Sequence, residues 1–169
     1  MHQWPILRRF NKAATAWQLY NSAKKYIGNG TITLGVQNFK MVLAKATSNA
    51  STFTLSAYGG GGTLTSVTNE VATAGGYAAG GRALVPATGK WINTSAKQMT
   101  FTMSSIGLAF TASGASIVDI KYAIIRNSTV STTQGKLLCW CQLSSANFTV
   151  ASPNTLTVLP ATTGIFTLT

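Results

Sequence analysis

The stretch GGYAAGGRALV, residues 75–85, sets Gly75, Gly76, Gly80 and Gly81 ahead of Arg82 and an apolar run. Glycines this dense beside a cation are the material of a phosphate-binding loop. Such a loop needs a strand before it and a helix after it, so that the helix amino end faces the anion. Here RALVPATGKW follows, where Pro86 and Gly89 forbid a long helix, and the Lys-Ser/Thr pair of a P-loop is missing. The block is therefore expected to serve conformation, as a hinge with positive φ or with another backbone close by. Arg82 is placed to cap the block or to pair with Glu70.

Glu70 and Asp119 are the only acidic side chains, and His2 is the only imidazole. A Ser/His/Asp or Cys/His constellation would require His2 to fold back over the body. Asp119 alternates against Val118 and Ile120, with Lys121 or a cross-strand base as its expected partner. Cys139 and Cys141 are the only cysteines; two apart on a strand they share a face, side by side, where a disulfide would be strained. A metal site needs more ligands than these two and His2 would supply. Both read as small buried hydrophobes in a reduced compartment. The chain is expected to have no enzymatic activity, no cofactor and no metal.

Charge and composition point to surfaces instead. Apolar residues make up 46% and charged residues 9%, against roughly 25% charged in soluble domains. So few charges suggest that neighbouring subunits cover part of the surface, as in a homo-oligomer. The net charge is +11, from thirteen Lys or Arg against two acids. Residues 1–27 hold Arg8, Arg9, Lys12, Lys24 and Lys25 and no acid, so the amino end is the densest in charge. Basic arms meet nucleic acid or acidic protein surfaces. No run approaches the ~18 apolar residues of a membrane span, and Lys12 interrupts any secretory apolar region.

The elements that would carry these residues follow from periodicity. PILRRFNKAATAWQLYNSAKKYIGNG repeats Ile6, Phe10, Trp17 and Tyr20 at helical spacing, with Pro5 at the start and Gly28 or Gly30 as the stop. From Thr31 the period becomes two. TITLGV, FKMVLAKA, FTLSAY, MTFTMSSIGLAF, SIVDIKYAIIR, KLLCWCQL, FTV, TLTVLP and GIFTLT read as strands. KLLCWCQL is apolar on both faces, as a central strand requires. Thr68–Ala74 admits a short helix, and the phase shift between Met103 and Ile106 suggests a bulge. The expected architecture is mainly β: a β-sandwich or barrel-like body over 28–169 behind a basic amphipathic helix or arm over 1–27.

GNGTITLGVQNFKMVLAKAT, VTNEVATAGGYAAGGRALV, IVDIKYAIIRNST and the closing GIFTLT resemble, in that order, a widespread family of small tailed-bacteriophage structural proteins. Its members combine an opening strand pair, an E-V…GY…GG…L block, a strand of the A-x-Y-A-V-I kind and an end of the G-I-F-x-L kind. FTMSSIGLAFTASGASIVDI lacks the acids frequent in relatives, and residues 1–27 lie outside the pattern. The resemblance implies a virion component, assembled in a bacterial cytoplasm, without catalysis.

Within that frame a capsid decoration (cement) protein is expected, set on the head lattice as a trimer and bound to the major capsid protein. In the arm, Trp4, Phe10, Trp17 and Tyr20 would be anchors, with Arg8, Arg9, Lys12, Lys24 and Lys25 on acidic capsid patches. Deleting 1–27 would then leave a folded body. The alternatives are a ring of a head–tail connector, collar or fibre base, and nucleic-acid binding through the arm. The arm's stripe packed on its own body is the plainer reading.

Overall fold

The longest β run, IVDIKYAIIRN, lies inside the largest sheet and pairs with three other strands. The computed structural model describes residues 9–10, 15–57, 66–95, 98–129, 135–161 and 163–168. In chain order these form β1 (Arg9–Phe10), β2 (Gln18–Leu19), the helix α1 (Asn21–Gly28), β3 (Phe39–Lys45), β4 (Arg82–Ala83) and β5 (Lys90–Ser95). There follow β6 (Gln98–Thr102), β7 (Leu108–Thr111), β8 (Ile117–Asn127), β9 (Leu137–Gln142), β10 (Phe148–Val150), β11 (Thr155–Val158) and β12 (Phe166–Leu168). The protein is mainly β, as composition and periodicity predict.

The largest sheet runs β2-β9-β8-β3-β4, with β10 pairing the start of β8. Its strands are antiparallel, with Val42 opposite Ile124 and Ile124 opposite Trp140. Tyr122 to Asn127 are buried at every position, so both faces of β8 are covered. A second sheet, β1-β11-β7, carries β1 parallel to β11; a third is β12-β6-β5. Phe101 of β6 meets Phe39 of β3 and Phe166 of β12 with ring centroids 5.4 Å apart in both cases, which fastens the small sheet to the large one.

Several sequence expectations change. The helix expected over the amino end is confined, among the described residues, to α1. Residues 15–20 are extended: Thr15 N donates to Gln142 O, β2 pairs β9, and Tyr20 N donates to Leu138 O. The reason is energetic. A short solitary helix is marginal in water, whereas this segment covers an edge of β9 and buries Trp17 and Tyr20. Residues 15–28 thus pack into the body, where a separate arm over 1–27 was expected.

TITLGV is a turn: Gln37 N donates to Thr33 O while the Gln37 amide both accepts from Thr33 N and donates to Thr31 O. The described part of FTLSAY, residues 53–57, forms no strand; Leu55 N closes a turn on Thr52 O, and Ala57 makes isolated bridges to Ser66 and Lys136. Thr68–Ala74 is not helical, because Lys45 N and the Leu43 carbonyl draw residues 69–71 along β3. The phase shift in MTFTMSSIGLAF is a turn closed by Gly107 N on Ser104 O.

The bulge lies instead in β8. Ile117 opposes Val150 and Ile120 opposes Phe148, so β8 carries one residue more than β10. Asp119 sits there at φ +61, and Val118 is turned out to solvent rather than aligned with Ile120, Tyr122 and Ile124. Asp119 accepts from Asn147 Nδ2 at 2.6 Å, not from a base.

Cys139 and Cys141 are free thiols, fully buried. Burial pushes both thiols up from their ordinary range, and for Cys139 the neighbouring Cys141 adds to it. The native thiols therefore stay protonated where those of the unfolded chain ionise, above pH about 8.5. The native state then binds more protons, so stability falls as pH rises through that value, by about 1.4 kcal/mol per pH unit for each thiol. Urea midpoints under reductant from pH 7 to pH 10 are expected to drop accordingly. The drop should be shallower in the Cys139→Ala/Cys141→Ala double variant.

Candidate functional site

The glycine block is built against the edge of β3. All four glycines have positive φ, from +58 at Gly75 to +93 at Gly80. At Gly81 a side chain would strike the Met41 carbonyl and lie 2.5 Å from Val42 Cγ1, so the loop passes directly over β3. A chain of polar contacts holds it there. Leu43 N donates to Tyr77 Oη at 3.0 Å, and Tyr77 Oη donates to Glu70 Oε1 at 2.6 Å. Gly80 N donates to the same carboxylate oxygen at 2.7 Å, and Arg126 Nη2 donates to Gly80 O at 2.9 Å. Arg126 is 1% exposed, the largest of the fully buried side chains. Glu70 thus binds Tyr77 and the loop backbone, and Arg82, the partner considered for it, reaches elsewhere: its Nη1 donates to Ala109 O of β7.

That reach closes one side of a slot of about 340 Å³ between the glycine block and β7. Its walls include Gly76, Gly81 and Arg82, and its floor is Tyr77 and Phe110, whose rings lie 5.9 Å apart. At Gly76 a Cβ would come within 2.6 Å of Thr111 O, so that wall too is backbone against backbone.

The predicted arm residues divide four ways. Trp4, Arg8 and Lys12 lie outside the described residues. Arg9 and Phe10 form β1 on β11. Trp17 and Tyr20 belong to the core, Tyr20 with its hydroxyl donating to Ala50 O at 2.7 Å, so they do not serve as exposed anchors. Lys24 and Lys25 are exposed on α1, Lys25 in the last turn where the helix dipole favours a cation.

A second surface was not expected, because KWINTS does not stand out as a strand. In the β12-β6-β5 sheet, Trp91, Phe101 and Phe166 align on the inner face, which leaves Ile92, Thr100 and Thr167 on the outer one. Thr100 and Thr167 hydroxyls are 3.0 Å apart. Two depressions of about 420 and 250 Å³ share Ile92 and Thr102; Leu159 and Pro160 line the larger. Ile92, Leu159 and, on the turn that Gly107 packs against Leu159, Ile106 are exposed, Ile106 by 77%. Isolated exposed apolar residues are ordinary, but side chains gathered around shared depressions make a contact surface.

Among the described residues no three His, Cys, Asp or Glu side chains gather in metal-binding geometry. The chemistry these surfaces offer is contact: hydroxyls and apolar groups on one, a guanidinium and aromatic rings lining one slot on the other. The chain matches no family model, no curated protein and no solved structure.

Proposed function

We propose that this protein is a non-catalytic structural component of a tailed-bacteriophage virion, a capsid decoration protein that grips the major capsid protein and its own copies. The observation that carries this reading is the surface at the outer face of the β12-β6-β5 sheet, where Ile92 on that face, Leu159 beside it and Ile106 on the turn packed against Leu159 stay exposed on a chain with only 9% charged residues. In an oligomer, as a trimer or ring, that face is covered. The sheets then act as one β-sandwich body, and the order of the blocks from GNGTITLGV to GIFTLT is that of the phage family they resemble. Free, buried cysteines suit assembly in a reducing bacterial cytoplasm.

The test is binding of the purified chain to undecorated phage heads, read by sedimentation. Ile92→Asp and Ile106→Asp replace exposed side chains, so the fold survives, and each is expected to weaken retention on heads about tenfold or more. Unchanged binding by both variants, or no binding by the wild-type chain, overturns the reading. Copy number per virion separates positions: one ring's worth places the chain at a connector or collar rather than over the head lattice. Removal of residues 1–14 tests the basic segment without touching Trp17 or Tyr20.

A further inference from the structure

Taking the chain as an assembly component, we infer that the slot between β4 and β7 receives an acidic side chain carried on an extended segment of a partner protein, with Arg82 holding its carboxylate. β4 ends the largest sheet and β7 ends the β1-β11-β7 sheet, so two strand edges flank the slot. Extended peptides add to such edges through backbone hydrogen bonds, while pockets select their side chains.

The pocket selects for a carboxylate. A guanidinium carries five N–H donors in a planar fork suited to a carboxylate. The bond to Ala109 O commits one of them and ties the group to β7 beside the slot that both residues line. The acid that this fork fits is not supplied by the chain's own side chains. Glu70 accepts from Tyr77 and Gly80, and Asp119 accepts from Asn147 in the β8 bulge. With thirteen bases to two acids, the complementary charge must come from another molecule.

The floor sets the rest of the ligand. Tyr77 and Phe110 are themselves buried, so only their upper surfaces line the slot, and these suit the methylene stem and an apolar neighbour. Because Gly76 and Gly81 hold the walls by backbone packing, the slot is formed before anything enters, which lowers the ordering cost of binding. A single cation in a slot lined by aromatic rings is a poor cradle for phosphate, whose multiple charges call for several donors. An acidic peptide is the better fit.

The experiment uses the full-length ¹⁵N-labelled chain titrated with the blocked peptide acetyl-Thr-Val-Glu-Val-Thr-amide. Its arms are the same peptide with Gln for Glu, sodium phosphate, and the Arg82→Gln and Arg82→Lys variants. Expected are saturable amide shifts at Gly76, Gly81 and Ala109, at least tenfold weaker for the Gln peptide and for Arg82→Gln, with partial retention in Arg82→Lys. Equal response to both peptides, no saturable shift, or the same shifts from phosphate would overturn the assignment. Arg82 is exposed, and a spectrum of Arg82→Gln that stays native away from the slot shows that any loss is local. Failure here leaves retention on heads by the wild-type chain intact, whereas failure of the virion reading removes that retention whatever the peptide does.

Discussion

Tyr20→Ala is expected to cost the fold about 3–5 kcal/mol, as large aromatic-to-alanine changes do in cores. Against a typical total of about 5–15 kcal/mol, that is enough to leave the chain partly unfolded at moderate temperature. The residue is 0% exposed and joins three pieces of structure. Its amide holds Leu138 O on β9, its hydroxyl holds Ala50 O, and its own carbonyl accepts from Ala23 N at the start of α1. Tyr20→Phe keeps the ring and leaves Ala50 O without that donor, a loss of about 1–3 kcal/mol. Urea unfolding followed by tryptophan fluorescence gives the order wild type, Phe, Ala. A Tyr20→Ala protein with the wild-type midpoint would mean that residues 15–28 are not part of the body. The same packing makes removal of 1–27 destructive, whereas a cut after residue 14 spares these contacts.

Gly81→Ala is the second large effect. At φ +79 an L side chain costs about 1–2 kcal/mol from the backbone alone. The new methyl then meets the Met41 carbonyl, and overpacking of this kind adds about 1–3 kcal/mol. Met41 cannot retreat freely, since it is held between β4 and β8 by its pairing with Arg82 and Ile125. The strain is expected to lift the loop, loosening Arg126 from Gly80 O and Arg82 from Ala109 O. Gly28→Ala in α1 is the control: nothing lies within 4 Å of its added Cβ, and stability should rise or hold. Equal midpoints for the two variants would show that the loop does not press on β3.

What was legible in the sequence was what repeats locally. FKMVLAKA and IVDIKYAIIR, read by their period-two alternation, became β3 and β8, and KLLCWCQL, apolar on both faces as an interior strand requires, became β9. The burial of Cys139 and Cys141 followed from the same pattern. The amino-terminal stripe misled because Trp17 and Tyr20 satisfy helical spacing and are equally well buried from an extended segment; the choice was made by an edge of β9 more than a hundred residues away. TITLGV failed for a similar reason: Ile32 is buried in the core, Leu34 only partly packs against it and Val36 is exposed, while the Gln37 amide ties the stretch into a turn. The site was hidden more thoroughly. Nothing near Glu70 announces Tyr77 and Gly80 as its donors, and Arg126 meets Gly80 only through the β3–β8 pairing.

Both carboxylates of this chain are engaged in internal hydrogen bonds, while Lys24, Lys25, Lys90 and Arg82 face outward. Two copies meeting through the hydroxyl-and-isoleucine face therefore do so against mutual repulsion. Added salt screens that repulsion and should draw copies together, yet the same ions weaken the grip of Arg82 on an acidic guest. Ionic strength thus pulls self-association and capture of a foreign chain in opposite directions.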